Sequence, residues 1–300
     1  MTENAPILGL LLDVDGPIAS PVSRSIAIPS IATDLVELAN AGIPIAFNTG
    51  RSDAFIREQV VPHLVAGGLK ASARVWAICE KGAVTVRITP AGMGEVDVDA
   101  SLAMPDDYSH AIRDLVETTY NDMVFFDETK RAMVSVEQLV SVSADAYAAR
   151  RGAFDADAAR EFERLGLGYE WDDVRHPDAA GTVPYRIDPT IISTDIESVR
   201  LGKDLGAEKF LALLTEDGGP IPTAWRTLGD SRTDYAMADW LHSQGFDVAH
   251  VDVRPGDGVP STPYPVRHHS TLIHDEAGAL YLGRWVGMLR GSETDDALVA

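Results

Sequence analysis

The chain of 300 residues has a single cysteine, Cys79. One cysteine excludes an intrachain disulfide framework and a paired-cysteine metal knuckle. Its place in the apolar run Val75 to Cys79 reads as inert core. Positive charge is also scarce: 25 Lys and Arg stand against 46 Asp and Glu, for a formal net charge of -21. That balance excludes an electrostatic grip on nucleic acid or on an anionic membrane surface. A small anion is a different case, because one local cation overrides the global field. Long hydrophobic runs are missing, and nothing approaches the ~20 apolar residues of a membrane span. The run Ile7 to Leu12 is too short for a signal peptide and has no basic lead, so the expected compartment is the cytoplasm. What is present is ordinary globular composition, 45% hydrophobic and 24% charged, without repeats. The length allows one large or two medium domains.

The order of patterns along the chain predicts α/β architecture. Ile7 to Leu12 and Ile43 to Phe47 are apolar throughout, as buried parallel strands are. Between them a helix carries Ile31, Leu35 and Leu38, with Ser30 as its expected cap and Gly42 as its stop. A helix over 53–64 and a strand over Val75 to Cys79 follow. From about 83 to 197 the pattern changes to period-2 strands and two amphipathic helices, near 105–120 and 143–165. The alternating stretch Tyr185 to Ile196 ends this region. After Val199 the α/β rhythm returns, with a helix over 204–214, a strand over 224–228, a helix over 235–244 and a strand over 248–253. The simplest architecture is a parallel-sheet core interrupted by an inserted α+β segment.

Three of these strands end in polar turns: Asp13-Val14-Asp15-Gly16, Thr49-Gly50-Arg51 and Gly229-Asp230. In open parallel sheets, ligands bind beyond the carboxyl ends of the strands, so the three turns are expected to converge. Asp13, Asp15, Asp230 and Asp234 are too many carboxylates to stay ionised together without a cation. A hard divalent ion resolves this, and Mg²⁺ suits a site of few carboxylates completed by waters and substrate phosphate. Thr49 and the Gly50 amide can donate to phosphate oxygens, and Lys203 adds positive charge. Lys203 is preferred to Lys209 because it opens its helix and precedes Gly206-Ala207. Arg51 fits a substrate contact or a salt bridge equally. His268, His269 and His274 read as surface residues. Trp171, Tyr185, Arg186 and His176 fit sugar contacts or packing.

With those residues on the page, the sequence resembles the haloacid dehalogenase superfamily of phosphotransferases. Four of its motifs occur in order: Asp13-Val14-Asp15-Gly16, Thr49, Lys203 and Gly229-Asp230-Ser231-Arg232-Thr233-Asp234. The spacing from Thr49 to Lys203 leaves room for an inserted cap of the C2 type. Thr49-Gly50-Arg51 and Glu80-Lys81-Gly82-Ala83 are similar to the Cof-like sugar-phosphatase branch, which includes sucrose-, trehalose- and mannosylglycerate-phosphate phosphatases. Three positions depart from the pattern: Pro17 replaces the usual Thr, Thr233 stands where many relatives carry Asn, and Lys81 replaces the usual Asn of an Asn-Gly-Ala match that is therefore partial. The resemblance implies a Rossmann-like catalytic core of 1–83 and 198–300 with a cap of 84–197.

The resemblance also implies a chemistry. Asp13 would attack phosphorus and form an aspartyl-phosphate, and Asp15 would act as acid and then base. Mg²⁺ would be held by Asp13, the Asp15 carbonyl and Asp230, with Asp234 behind them and Thr49, Gly50 and Lys203 on the phosphate. The expected activity is Mg²⁺-dependent hydrolysis of a small phosphate ester, in particular a sugar phosphate, with no nucleic-acid or membrane partner; oligomeric state has no signal in the sequence. A phosphomutase on the same core, and a non-catalytic metabolite-binding protein, are the alternatives. An intact Asp15 speaks against the second of these.

Overall fold

The computed structural model describes residues 8–293. The chain divides into two compact units, residues 1–97 with 202–300, and residues 98–201.

The first unit begins with β1 (Gly9–Leu12), α1 (Pro29–Asn40), β2 (Ile45–Asn48), α2 (Asp53–Gln59), α3 (Val61–Ala66), β3 (Val75–Cys79), β4 (Val84–Thr89) and β5 (Gly92–Val98). Ser30 is not the cap of α1. Ile28 takes that place, and Pro29 occupies the first turn, where its missing N–H has no partner to lose. The expected helix over 53–64 is broken at Val60 because Pro62 lies in the first turn of α3 and interrupts the ladder. Residues 84–97, expected in the inserted segment, lie instead in the first unit. β4 pairs antiparallel with β3 and β5 lies beyond it. Their alternation reflects the edge of the core sheet, where one face is solvated.

The second unit holds α4 (Asp106–Leu115), β6 (Val124–Phe126), β7 (Val134–Gln138), α5 (Ala144–Leu165), β8 (Tyr169–Trp171), β9 (Val174–His176), β10 (Tyr185–Pro189) and β11 (Ser193–Ser198). Its sheet has the order β6-β7-β11-β10-β8-β9. The stretch 185–196 is a hairpin rather than one strand, closed where the Ser193 amide donates to Thr190 Oγ1 at 2.9 Å. Ser143 caps α5 and Gly166, at φ 67°, ends it. Tyr108, Phe154, Phe162, Val136 and Ile196 form the core between helices and sheet. Three of the candidate sugar contacts have packing or ion-pair partners here. Tyr185 stacks on Phe162, His176 stacks on Tyr169, and Arg186 pairs with the fully buried Glu197.

The chain then returns to the first unit with α6 (Lys203–Glu216), β12 (Ala224–Gly229), α7 (Tyr235–Ser243), β13 (Asp247–Asp252), β14 (Val266–Arg267) and α8 (His274–Leu289). The core sheet runs β14-β13-β12-β1-β2-β3-β4-β5, parallel from β14 to β3. α6 and α7 cover one face through Phe210, Leu214, Met237 and Leu241 against Leu11, Trp76 and Trp225. Leu35 and Leu64 pack on Ile45, Phe47 and Val75 of the other face, where α8 lies against α1. The sequence reading did not foresee α8 or the β7, β8, β9 and β14 strands. The first residues, Ile7 among them, and residues 294–300 lie outside the described residues. Among the described residues, no helix is long and apolar enough to cross a membrane.

Candidate active site

β12, β1 and β2 are neighbours and parallel, so their carboxyl ends lie at one sheet edge. Asp13 follows β1, Thr49 follows β2 and Asp230 follows β12. The Asp13 amide donates to Leu228 O and the Thr49 amide to Ile78 O, which carries the sheet ladder into these turns. Asp13, Thr49, Lys203 and Asp234 are all buried.

Lys203 is the hub. Its Nζ lies 2.5 Å from Asp13 Oδ1, 2.7 Å from Asp234 Oδ1 and 2.7 Å from the Asn48 carbonyl oxygen. Asn48 completes the clamp from the other side, donating through Nδ2 to Lys203 O at 2.8 Å. Gly206 is needed one turn further along α6, because a Cβ there would stand 2.0 Å from Asn48 Oδ1. Asn48 was missed by sequence reasoning. Its signal was a polar residue closing an apolar strand.

Asp234 is fixed by its own loop. Its Oδ2 accepts from the Asp230 amide at 3.0 Å, the Ser231 amide at 2.9 Å and Ser231 Oγ at 2.8 Å. This reciprocal cap holds Asp230 and Asp234 in one rigid turn. Gly16, at φ 92°, lets the first turn approach it: a Cβ there would stand 2.6 Å from Asp230 Oδ2. Pro17 costs nothing in this turn, since the bonds that close it run from Gly16, Ile18 and Ala19.

Asp13, Asp230 and Asp234 each present an oxygen within 4.8 Å of the others. The electrostatics follow. Burial, then the charge of Asp234, raises the Asp13 carboxyl well above its ordinary value, against the pull of Lys203. Burial and Asp234 push Asp230 up to about 6. Burial also acts to raise Asp234, but the charge and hydrogen bond of Lys203 and the bond from Ser231 hold it low. Burial opposes the Lys203 charge, yet Asp13 and Asp234 together raise its pKa. One lysine therefore leaves the three-carboxylate cluster short of positive charge. A divalent cation with oxygen ligands fits that donor set.

Asp15 stands apart from the trio. Arg51 grips its carboxylate through Nε, 2.9 Å from Oδ2, and Nη2, 2.9 Å from Oδ1. The guanidinium also lies over the Phe55 ring, 4.8 Å from its centroid. Thr49 Oγ1 accepts from the Arg51 amide at 3.0 Å, which leaves the hydroxyl proton to donate. Gly50, in the same turn, lies beside the Lys81 stem. His274, read as a surface residue, instead opens α8 with its Nδ1 3.8 Å from Asp230 Oδ2.

No protein-family model matches the chain, and a search of curated proteins finds no match. Solved structures do match in fold. The C-terminal domain of trehalose-6-phosphate phosphatase from C. albicans superposes with a TM-score of 0.62 at 13% identity, covering 96% of this chain and 93% of that one. A haloacid dehalogenase-like hydrolase from Bacteroides thetaiotaomicron gives 0.59 at 11% identity, covering 93% and 99%. A subclass IIB sugar phosphatase of the same superfamily gives 0.53 at 15% identity, covering 95% and 99%. The parallel core sheet, the buried lysine-carboxylate cluster at its carboxyl edge and these likenesses together show that the chain has the fold of the haloacid dehalogenase-like hydrolases.

Proposed function

We propose that the protein is a phosphatase acting on a small phosphate ester, in particular a sugar phosphate. The observation that carries this reading is the cluster of Asp13, Lys203, Asp230 and Asp234 beside Thr49 at the carboxyl edge of the core sheet. The solved relatives named above, two of them sugar-phosphate or sugar phosphatases, support it.

In this reading Asp13 is the nucleophile. Lys203 holds Oδ1, which leaves Oδ2 to attack phosphorus and displace the alkoxide. Asp15 gives a proton to that alkoxide, then takes one from the water that hydrolyses the aspartyl-phosphate. Arg51 holds the Asp15 carboxylate in a set orientation for both transfers. The Thr49 hydroxyl and the Gly50 amide donate to the phosphoryl oxygens and Lys203 adds its positive charge beside them, where most catalytic benefit lies in phosphoryl transfer. Mg²⁺ would be held by the carboxylates of Asp13 and Asp230 and the Asp15 carbonyl, with Asp234 behind them. When bound it neutralises phosphate charge so that one anion can approach another.

The test is phosphate release from p-nitrophenyl phosphate and a panel of phosphosugars, with Mg²⁺ and with excess chelator. Turnover should require the metal and disappear in Asp13→Asn. Full activity in that variant would exclude Asp13 as nucleophile, and conversion to an isomeric phosphosugar without free phosphate would identify a mutase.

A further inference from the structure

His274 opens α8 with a φ of 50°, in the left-handed region. Strain of this kind persists where the surroundings over-determine it, and it concentrates around functional sites. Here the surroundings are the ends of two core strands. The Val253 amide donates to Gly229 O and the His274 amide to Val253 O, each at 2.9 Å. This short ladder sets His274 beside the loop that carries Asp230. Asparagine or glycine would meet the same φ at least as well. The backbone therefore does not explain the imidazole.

The side chain does have something to face. Nδ1 is shut off from solvent and has no hydrogen-bond partner among the described residues. It lies 3.8 Å from Asp230 Oδ2, within ion-pair reach but beyond a hydrogen bond. Gly16 packs on that same oxygen, so closely that a Cβ there would stand 2.6 Å away. Asp234 takes three donors from its own loop on one carboxylate oxygen. The Asp230 carboxylate takes no hydrogen bond among the described residues. A buried nitrogen and a carboxylate oxygen, each without a partner, stand face to face. Hydrogen bonds in active sites are often long before the ligand binds and tighten with it. A neutral imidazole with its proton on Nδ1 is donor enough. A donor on Oδ2 fixes the rotation of the carboxylate, and with it the direction of Oδ1.

We infer that His274 is a positioning residue for the metal site, holding Asp230 through Nδ1 in the orientation that binds the cation. Imidazole suits softer ions than Mg²⁺, and His274 stands outside the cluster of three carboxylates, so it acts on Asp230 rather than on the ion. The inference rests on the metal-dependent reading above and adds a residue which that reading does not use.

His274→Ala, His274→Gly and His274→Asn in the full chain test this. Metal-free protein is titrated with Mg²⁺ by calorimetry and with Mn²⁺ by the paramagnetic resonance of the free ion, and its melting temperature is read in excess chelator. His274→Ala and His274→Gly should both weaken metal binding about 10–100-fold, as loss of a group that orients a ligand does. His274→Asn should keep most of the affinity, because its amide nitrogen takes the place of Nδ1 and asparagine tolerates left-handed backbone. Glycine relieves that backbone, so His274→Gly should melt higher than His274→Ala. Unchanged affinity in both truncations overturns the inference. So does an affinity that follows melting temperature, lost in His274→Ala and kept in His274→Gly, since the residue would then serve the turn alone. Wild-type protein that binds the metal but hydrolyses no p-nitrophenyl phosphate overturns the phosphatase reading, and the metal titrations of the variants still decide the role of His274. Wild-type protein that binds neither ion overturns both.

Discussion

The most consequential residue is Lys203, because its charge is shared by two buried carboxylates. Removing one member of a buried ion pair leaves the others uncompensated, at a cost of about 3–5 kcal/mol. Lys203→Met should lower the urea-unfolding free energy by that order and abolish turnover. Adding Asp13→Asn to it should recover part of the stability but none of the activity; a double variant no more stable than the single one would contradict the pairing. His250 gives a prediction of opposite chemistry. It is fully buried on β13, with Nδ1 2.7 Å from Thr227 Oγ1. Burial pushes its pKa from 6.5 down to about 4, so the unfolded chain binds the proton more readily between those values. Its contribution is intact above pH ~6.5 and lost as pH falls toward ~4, by up to about 3 kcal/mol. Unfolding free energy followed across that window should fall less steeply in His250→Gln than in the parent chain.

At the scale of elements, α8 packs against the turn that follows β1. Gly278 on α8 meets the carbonyl of Pro17, and a Cβ there would stand 1.9 Å from that oxygen. Gly278→Ala must push the helix or the turn aside, at a cost of about 1–3 kcal/mol. Since Pro17 directly follows Asp15-Gly16, kcat should fall together with melting temperature; unchanged kinetics would show that the turn is held independently of α8. The elements also show what local pattern conveys. β3 matched its expected bounds, and Ser143 and Gly166 bracket α5 as capping chemistry requires, because these signals are read from neighbouring residues. The hairpin at 190–192 and the break at Val60 were hidden, because period alone does not mark where an alternating or apolar run turns. The strand pair 84–97 was assigned to the wrong unit because pairing with β3 is a tertiary fact.

At the scale of the molecule, the charge of -21 lies on a chain with a sequence pI near 4.6. Self-repulsion of that size opposes the compact state, and salt shortens its reach to about 8 Å at physiological ionic strength. Melting temperature should therefore rise between ~0.02 and ~0.5 M NaCl, and a flat or falling curve would show that surface ion pairs dominate instead. The sequence by itself determined the alternation of strands and helices and the positions of Asp13, Thr49, Lys203 and Asp230. Each of those residues adjoins an element boundary, where a polar side chain interrupts an apolar pattern. Only the tertiary structure decided which groups meet. Arg51 closes on Asp15, Asn48 clamps a lysine 155 positions away, and His274 reaches Asp230. The physical reason is that periodicity and capping act over a few residues. Ion pairing, burial and backbone strain depend on distances that exist only once the sheet has brought its strand ends to one edge.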